Sequence, residues 1–71
     1  METIKLLDVV ALLADLPERG LRRGQVGTVV ELLAAGVFEV EFSDDQGRTY
    51  ASLALHTDQL MVLHHSLAGV A

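Results

Sequence analysis

Seventy-one residues, 51% of them hydrophobic, with ten acids against five Lys and Arg and no cysteine, make one small domain of formal charge −5. A chain this short buries roughly 60% of its unfolded surface, so its core is thin, and without cysteines neither a disulfide nor a thiolate zinc site can staple it. The acidic balance weighs against wrapping nucleic acid or binding an anionic membrane.

The first residues carry no targeting pattern. Residues 1–5 hold one acid and one base, and Asp8 interrupts Leu6-Leu7-Asp8-Val9-Val10. A signal peptide needs a basic start and an unbroken apolar stretch, and no apolar run approaches the ~20 residues that span a bilayer. A cysteine-free, cytoplasmic protein without a membrane segment is expected. Residues 8–13 are expected as the first strand. Their leucine and alanine would suit a helix, but Val9-Val10 is a β-branched pair and the rest of the chain offers only strands to pair with.

Residues 15–25 follow as a long loop punctuated by Pro17, Gly20 and Gly24. Leu16 and Leu21 are expected to tuck beneath it and plug one end of the core. Next, Val26-Gly27-Thr28-Val29-Val30-Glu31-Leu32 is β-branched, with a glycine that suits a helix poorly. Val37-Phe38-Glu39-Val40-Glu41-Phe42 alternates cleanly, Phe38, Val40 and Phe42 facing in and Glu39 and Glu41 facing out. Leu33-Ala34-Ala35-Gly36 joins the two as an antiparallel hairpin, with positive φ expected at Gly36.

Ser43-Asp44-Asp45-Gln46-Gly47-Arg48 is a dense turn signal. The next strand, Thr49-Tyr50-Ala51-Ser52-Leu53-Ala54-Leu55, puts Ala51, Leu53 and Leu55 on one face and Tyr50, Ser52 and Ala54 on the other. His56-Thr57-Asp58-Gln59 reads as a single helical turn capped by Thr57 or Asp58, and Leu60-Met61-Val62-Leu63 as a short last strand. The sum is all-β: a small five-stranded SH3-like barrel with a long first loop and one helical turn before the last strand. Its core covers about residues 7–63, with 64–71 as a tail. Closing such a sheet removes its exposed edges.

Asp8-Val9-Val10-Ala11-Leu12, Asp15-Leu16-Pro17-Glu18-Arg19-Gly20-Leu21 and Gly24-Gln25-Val26-Gly27-Thr28-Val29-Val30, followed by Phe38-Glu39-Val40-Glu41-Phe42 and Asp58-Gln59-Leu60, form one pattern. It resembles the uncharacterised bacterial family called domain of unknown function 4926. The resemblance implies a small stand-alone SH3-like barrel and supplies no activity. Separately, Gly24-x-x-Gly27-x-Val29 is similar to the KOW motif of ribosomal and transcription-elongation proteins. A tightly curved strand explains the same spacing, because it needs glycine at its bend and wherever another backbone passes close.

No constellation of catalysis emerges. His56, His64 and His65 are the only soft ligands or bases, and adjacent histidines on a strand point to opposite faces. Glu39 and Glu41 stand ~7 Å apart on one strand, a glycosidase-like spacing, but on a solvated face rather than in a cleft. No Gly-x-Ser-x-Gly elbow, phosphate-binding glycine loop or calcium loop is present. The expectation is no enzyme, no cofactor, no metal and no small-molecule substrate. Only Phe38, Phe42 and Tyr50 are aromatic, too few for a polyproline groove or a nucleotide-stacking platform.

Two features stand out. Arg19, Arg22 and Arg23 gather three of the five basic residues in one loop, either pairing with Asp15 and Glu18 or reaching outward for a carboxylate or phosphate. Apolar content also exceeds what the inward positions hold: Leu32, Leu33, Ala34, Ala35, Ala54, Met61 and the Leu67-Ala68-Gly69-Val70-Ala71 tail have no evident place inside. A contiguous exposed apolar patch marks a protein contact. The sequence therefore points to a module that binds proteins, self-associating into a homo-oligomer through an apolar face or open strand edge. A basic, toxin-like protein is a further candidate partner for its acids. The alternative is a KOW-like, RNA- or ribosome-associated module using the arginine loop.

Overall fold

The computed structural model describes residues 3–64. Alternation and β-branching produce five strands: β1 (Val9–Leu12), β2 (Val26–Ala34), β3 (Val37–Ser43), β4 (Thr49–His56) and β5 (Leu60–Val62). They form one antiparallel sheet in the order β4-β3-β2-β1-β5. That order is compatible with an SH3-like barrel. Closure is not found: among the described residues no ladder joins β4 to β5, and both remain edges.

The core follows the two-residue period. Phe38, Val40 and Phe42 are buried from β3, and Leu53 and Leu55 from β4. Val10 and Leu12 of β1, Val29 of β2 and Leu60 of β5 meet them, with Ile4 and Leu21 from outside the strands. At ~25 cal/mol per Å² of apolar surface, each such side chain contributes about 1.5–3 kcal/mol against a small total.

β2 runs two residues beyond the expected Leu32, so the hairpin narrows to Ala35-Gly36. The cause lies in the register, which slips between Val29 and Glu31 and again between Leu32 and Ala34. Bulges at Val30 and Leu33 keep the strand paired while bending it, which also turns Leu32 and Leu33 out to solvent. Gly36 closes the hairpin at φ +74, a value that costs a side-chain-bearing residue.

Gly27 has a different reason. It pairs with Val10 on one side and Phe42 on the other. A Cβ there would lie 2.7 Å from Val40 Cγ1 and 2.8 Å from the Glu41 carbonyl oxygen. The close backbone approach therefore accounts for this glycine of the Gly24-x-x-Gly27 spacing.

The long first loop is structured. Leu16 and Leu21 bond to each other in both directions, at 2.9 and 3.1 Å, around a 3₁₀ turn at Pro17–Arg19. Leu21 is 2% exposed and Leu16 packs against the core, as the loop's apolar members were expected to do. A second 3₁₀ turn, Thr57–Gln59, precedes β5. Its cap differs from the expected Thr57 or Asp58: Gln59 Oε1 accepts the His56 N–H at 2.8 Å. Thr57 instead ties the turn to the first hairpin, its N–H donating to the Gly36 carbonyl at 3.0 Å.

Candidate functional site

The arginine loop reaches the start of β4 at Tyr50. Gln25 holds it there: its Oε1 accepts the Arg22 N–H, and its Nε2 donates to the Tyr50 hydroxyl at 2.9 Å. Asp15 Oδ1 accepts the main-chain N–H of Arg23 at 2.7 Å. That contact occupies the carboxylate with backbone rather than with a guanidinium. Arg19, Arg22 and Arg23 are exposed, and among the described residues none of the three guanidiniums forms an ion pair.

Arg48 behaves in the opposite way. Its Nε reaches Asp44 Oδ2 at 3.1 Å, within the turn that links β3 to β4. Asp44 also accepts the N–H groups of Gln46 and Arg48 at 2.9 and 3.0 Å. The Arg48 main-chain N–H is the largest influence holding the Asp44 carboxyl below its ordinary value. Partial desolvation opposes it, while the Gln46 N–H and the Arg48 guanidinium add to it.

Acids collect on the outside of the sheet. Glu31 of β2 stands directly opposite Glu39 of β3, and Glu41 follows two positions along. Like charges so placed repel. Hydroxyls take up part of the field, Ser52 donating to Glu39 and Thr49 to Glu41 at 3.4 Å. Among the described residues, no three of His, Asp and Glu gather as a metal would require.

Apolar side chains make up the rest of the surface. Leu6 and Leu7 are 59% and 73% exposed, at a turn pinned by the Asp8 carboxylate on the Lys5 N–H at 2.8 Å. Leu7 holds φ +71, unusual for a leucine, while its N–H donates to the Val29 carbonyl at 2.7 Å. Beside β5 an open groove of 620 Å³ is lined by Ile4, Leu13, Leu60, Met61 and Val62, with Thr57 and Asp58. Leu32, Leu33, Ala34, Ala35, Ala54 and Met61, assigned no inward place from sequence, are all exposed. His65 and the Leu67–Ala71 tail lie outside the described residues.

Sequence patterning missed the groove, which needs the first residues and β5 brought together. It also missed the state of β4 as a free edge, although the absence of charge from 49 to 56 was there to be seen. Residues 6–62 match the family model described as Domain of unknown function (DUF4926). No curated protein and no solved structure matches the chain.

Proposed function

The chain belongs to the DUF4926 family, and from that premise we propose that it is a non-enzymatic protein-interaction module that self-associates. One observation carries this: large apolar side chains, among them Leu6, Leu7, Leu32 and Met61, are about half exposed or more on a domain whose core is complete without them. Water penalises that surface by ~25 cal/mol per Å², and a protein contact relieves it. Sedimentation velocity on the full chain tests the proposal. A species larger than the monomer at micromolar concentration is expected, and a monomer at every concentration contradicts it.

The acidic sheet face suits a basic protein as an additional partner. Glu31, Glu39 and Glu41 repel one another in the free chain, and cations set over them would remove that cost. An oligolysine peptide should then raise the melting temperature at low salt and lose the effect at high salt. No shift at low salt rejects the basic partner.

A second reading rests on the guanidiniums of Arg19, Arg22 and Arg23, which form no ion pair among the described residues. It makes the loop an anion grip, as in a KOW-like module on RNA. Binding to a structured RNA should fall steeply with salt and vanish in the Arg22→Ala/Arg23→Ala variant. Salt-independent binding sinks this reading.

A further inference from the structure

We propose that β4 is the self-association edge, and that a second copy pairs with it antiparallel about a two-fold axis at Leu53. This rests on the self-association reading above, and the surface it names is the main chain of β4 (Thr49–His56), apart from the exposed Leu6, Leu7, Leu32 and Met61.

Hydrogen-bond phase identifies the free groups. The Thr57 N–H donates to the Gly36 carbonyl, one step beyond the Val37↔His56 pair. Antiparallel pairs alternate between bonded and non-bonded. The bonded pairs are therefore Phe38↔Leu55, Val40↔Leu53 and Phe42↔Ala51, and the main-chain groups of Ser52, Ala54 and His56 face away from β3. Gln59 already takes the His56 N–H, an independent sign that it points outward. At the other end the register steps from Phe42↔Ala51 to Ser43↔Thr49, so Tyr50 is the extra residue of a bulge. Ser52 and Ala54 remain, with no main-chain partner among the described residues beyond the edge.

Those two residues are complementary to themselves. A two-fold axis at Leu53 sets Ser52 of one copy against Ala54 of the other, each pair exchanging both N–H···O bonds. An axis at Ser52 would instead set Ala54 against the displaced Tyr50. With the axis at Leu53 the two Leu53 side chains meet at the closely spaced, non-bonded centre, extending each core into the other. Tyr50 then lies opposite His56 on the outer face.

Charge permits the pairing. β4 carries no charged residue and no proline over its eight positions, two of the usual devices that keep edges apart, and its bulge at Tyr50 lies outside the Ser52–Ala54 stretch. The carboxylates paired with Ala54 and Ser52, those of Glu39 and Glu41, sit one strand back on β3. Across the junction they are three strand spacings apart, ~14 Å, beyond the ~8 Å Debye length of physiological salt. Pairing along one edge is small against the ~1,200–2,000 Å² of standard interfaces, so a reversible dimer is expected.

The test is sedimentation equilibrium on the full chain, with Ala54→Pro and Ala54→Lys beside it. Proline deletes the outward N–H where edge strands tolerate it, and lysine adds a charge that Glu39 can pair within the monomer. Circular dichroism checks that each variant folds, and lysine decides if proline does not. A wild-type dimer whose dissociation constant rises more than about tenfold in the folded variant, or ~1.4 kcal/mol, supports the proposal. A dimer unchanged in a folded variant overturns the β4 edge and leaves self-association standing. A wild-type monomer at all concentrations overturns both.

Discussion

β4 and β5 both end the sheet, yet β4 offers eight uncharged residues and β5 only three. Fewer open groups remain on β5 as well: the outward N–H of Leu60 is bound by the Thr57 carbonyl within the 3₁₀ turn. What β5 presents is side chains, in the apolar groove with Ile4 and Leu13. An edge can thus be blunted by brevity and a neighbouring turn, and β4 has neither along its middle. In this chain the long open edge of β4 and the apolar groove beside β5 lie at opposite ends of the strand order.

Substitutions from the inside of the sheet should break this contrast most strongly. Leu55, 2% exposed, anchors β4 to the core. Leu55→Ala should cost about 2–5 kcal/mol in urea denaturation and loosen the dimer with it. Ala54→Lys, one residue away on the outer face, should stay within about 0.5 kcal/mol of wild type. Equal losses from the two would mean that the outer face of β4 is packed after all.

Gly27→Ala comes next, because Gly27 stands between Val10 of β1 and Phe42 of β3 in the ladder that joins the two edges. Its new methyl meets the Glu41 carbonyl oxygen, which cannot rotate away as a side chain does. A loss of about 1–3 kcal/mol in thermal or urea denaturation is expected. A neutral result would show that the neighbours of Gly27 give way more easily than these contacts imply.

Met61→Lys sharpens the contrast from the other side. Met61, in the middle of β5, is 49% exposed and lines the groove rather than the β4 edge, so the variant should leave the dimer midpoint unchanged in sedimentation. Added salt should tighten the dimer slightly, since both copies are acidic. Loss of the dimer in Met61→Lys would move the contact to the groove.

Asp44 gives the smallest effect. Its carboxyl is held below its ordinary 3.8, first by the Arg48 N–H. The stabilisation is fully present above that ordinary value and is lost as pH falls through the lowered one. Asp44→Asn should lower stability at neutral pH and flatten its acid-side decline; an unchanged acid-side profile would assign that decline to other carboxylates.

Much of the fold was legible because burial writes its period into the chain. Phe38, Val40 and Phe42 against Glu39 and Glu41 fixed both the strand and its inward face, and Leu16 and Leu21 were readable as loop residues that return to the core. The bulges at Val30 and Leu33 were not, because a register slip depends on which partner residue lies opposite. Loop arginines next to Asp15 and Glu18 look alike whether guanidinium or backbone takes the carboxylate; only geometry gave Asp15 to the Arg23 N–H. The open edge was hidden for a related reason. Whether β4 meets β5 is decided by the path between them, and the turn at Thr57–Gln59 carries the chain to β1 instead.

Amide hydrogen exchange, followed residue by residue over a concentration series of the full chain, tests the β4 edge most directly. The account predicts that the Ser52 and Ala54 amides exchange fast in dilute solution and slow down together as concentration rises, while Leu53 and Leu55, bonded to β3, stay protected throughout. Ser52 and Ala54 amides that exchange fast in a solution already shown to be dimeric would contradict it.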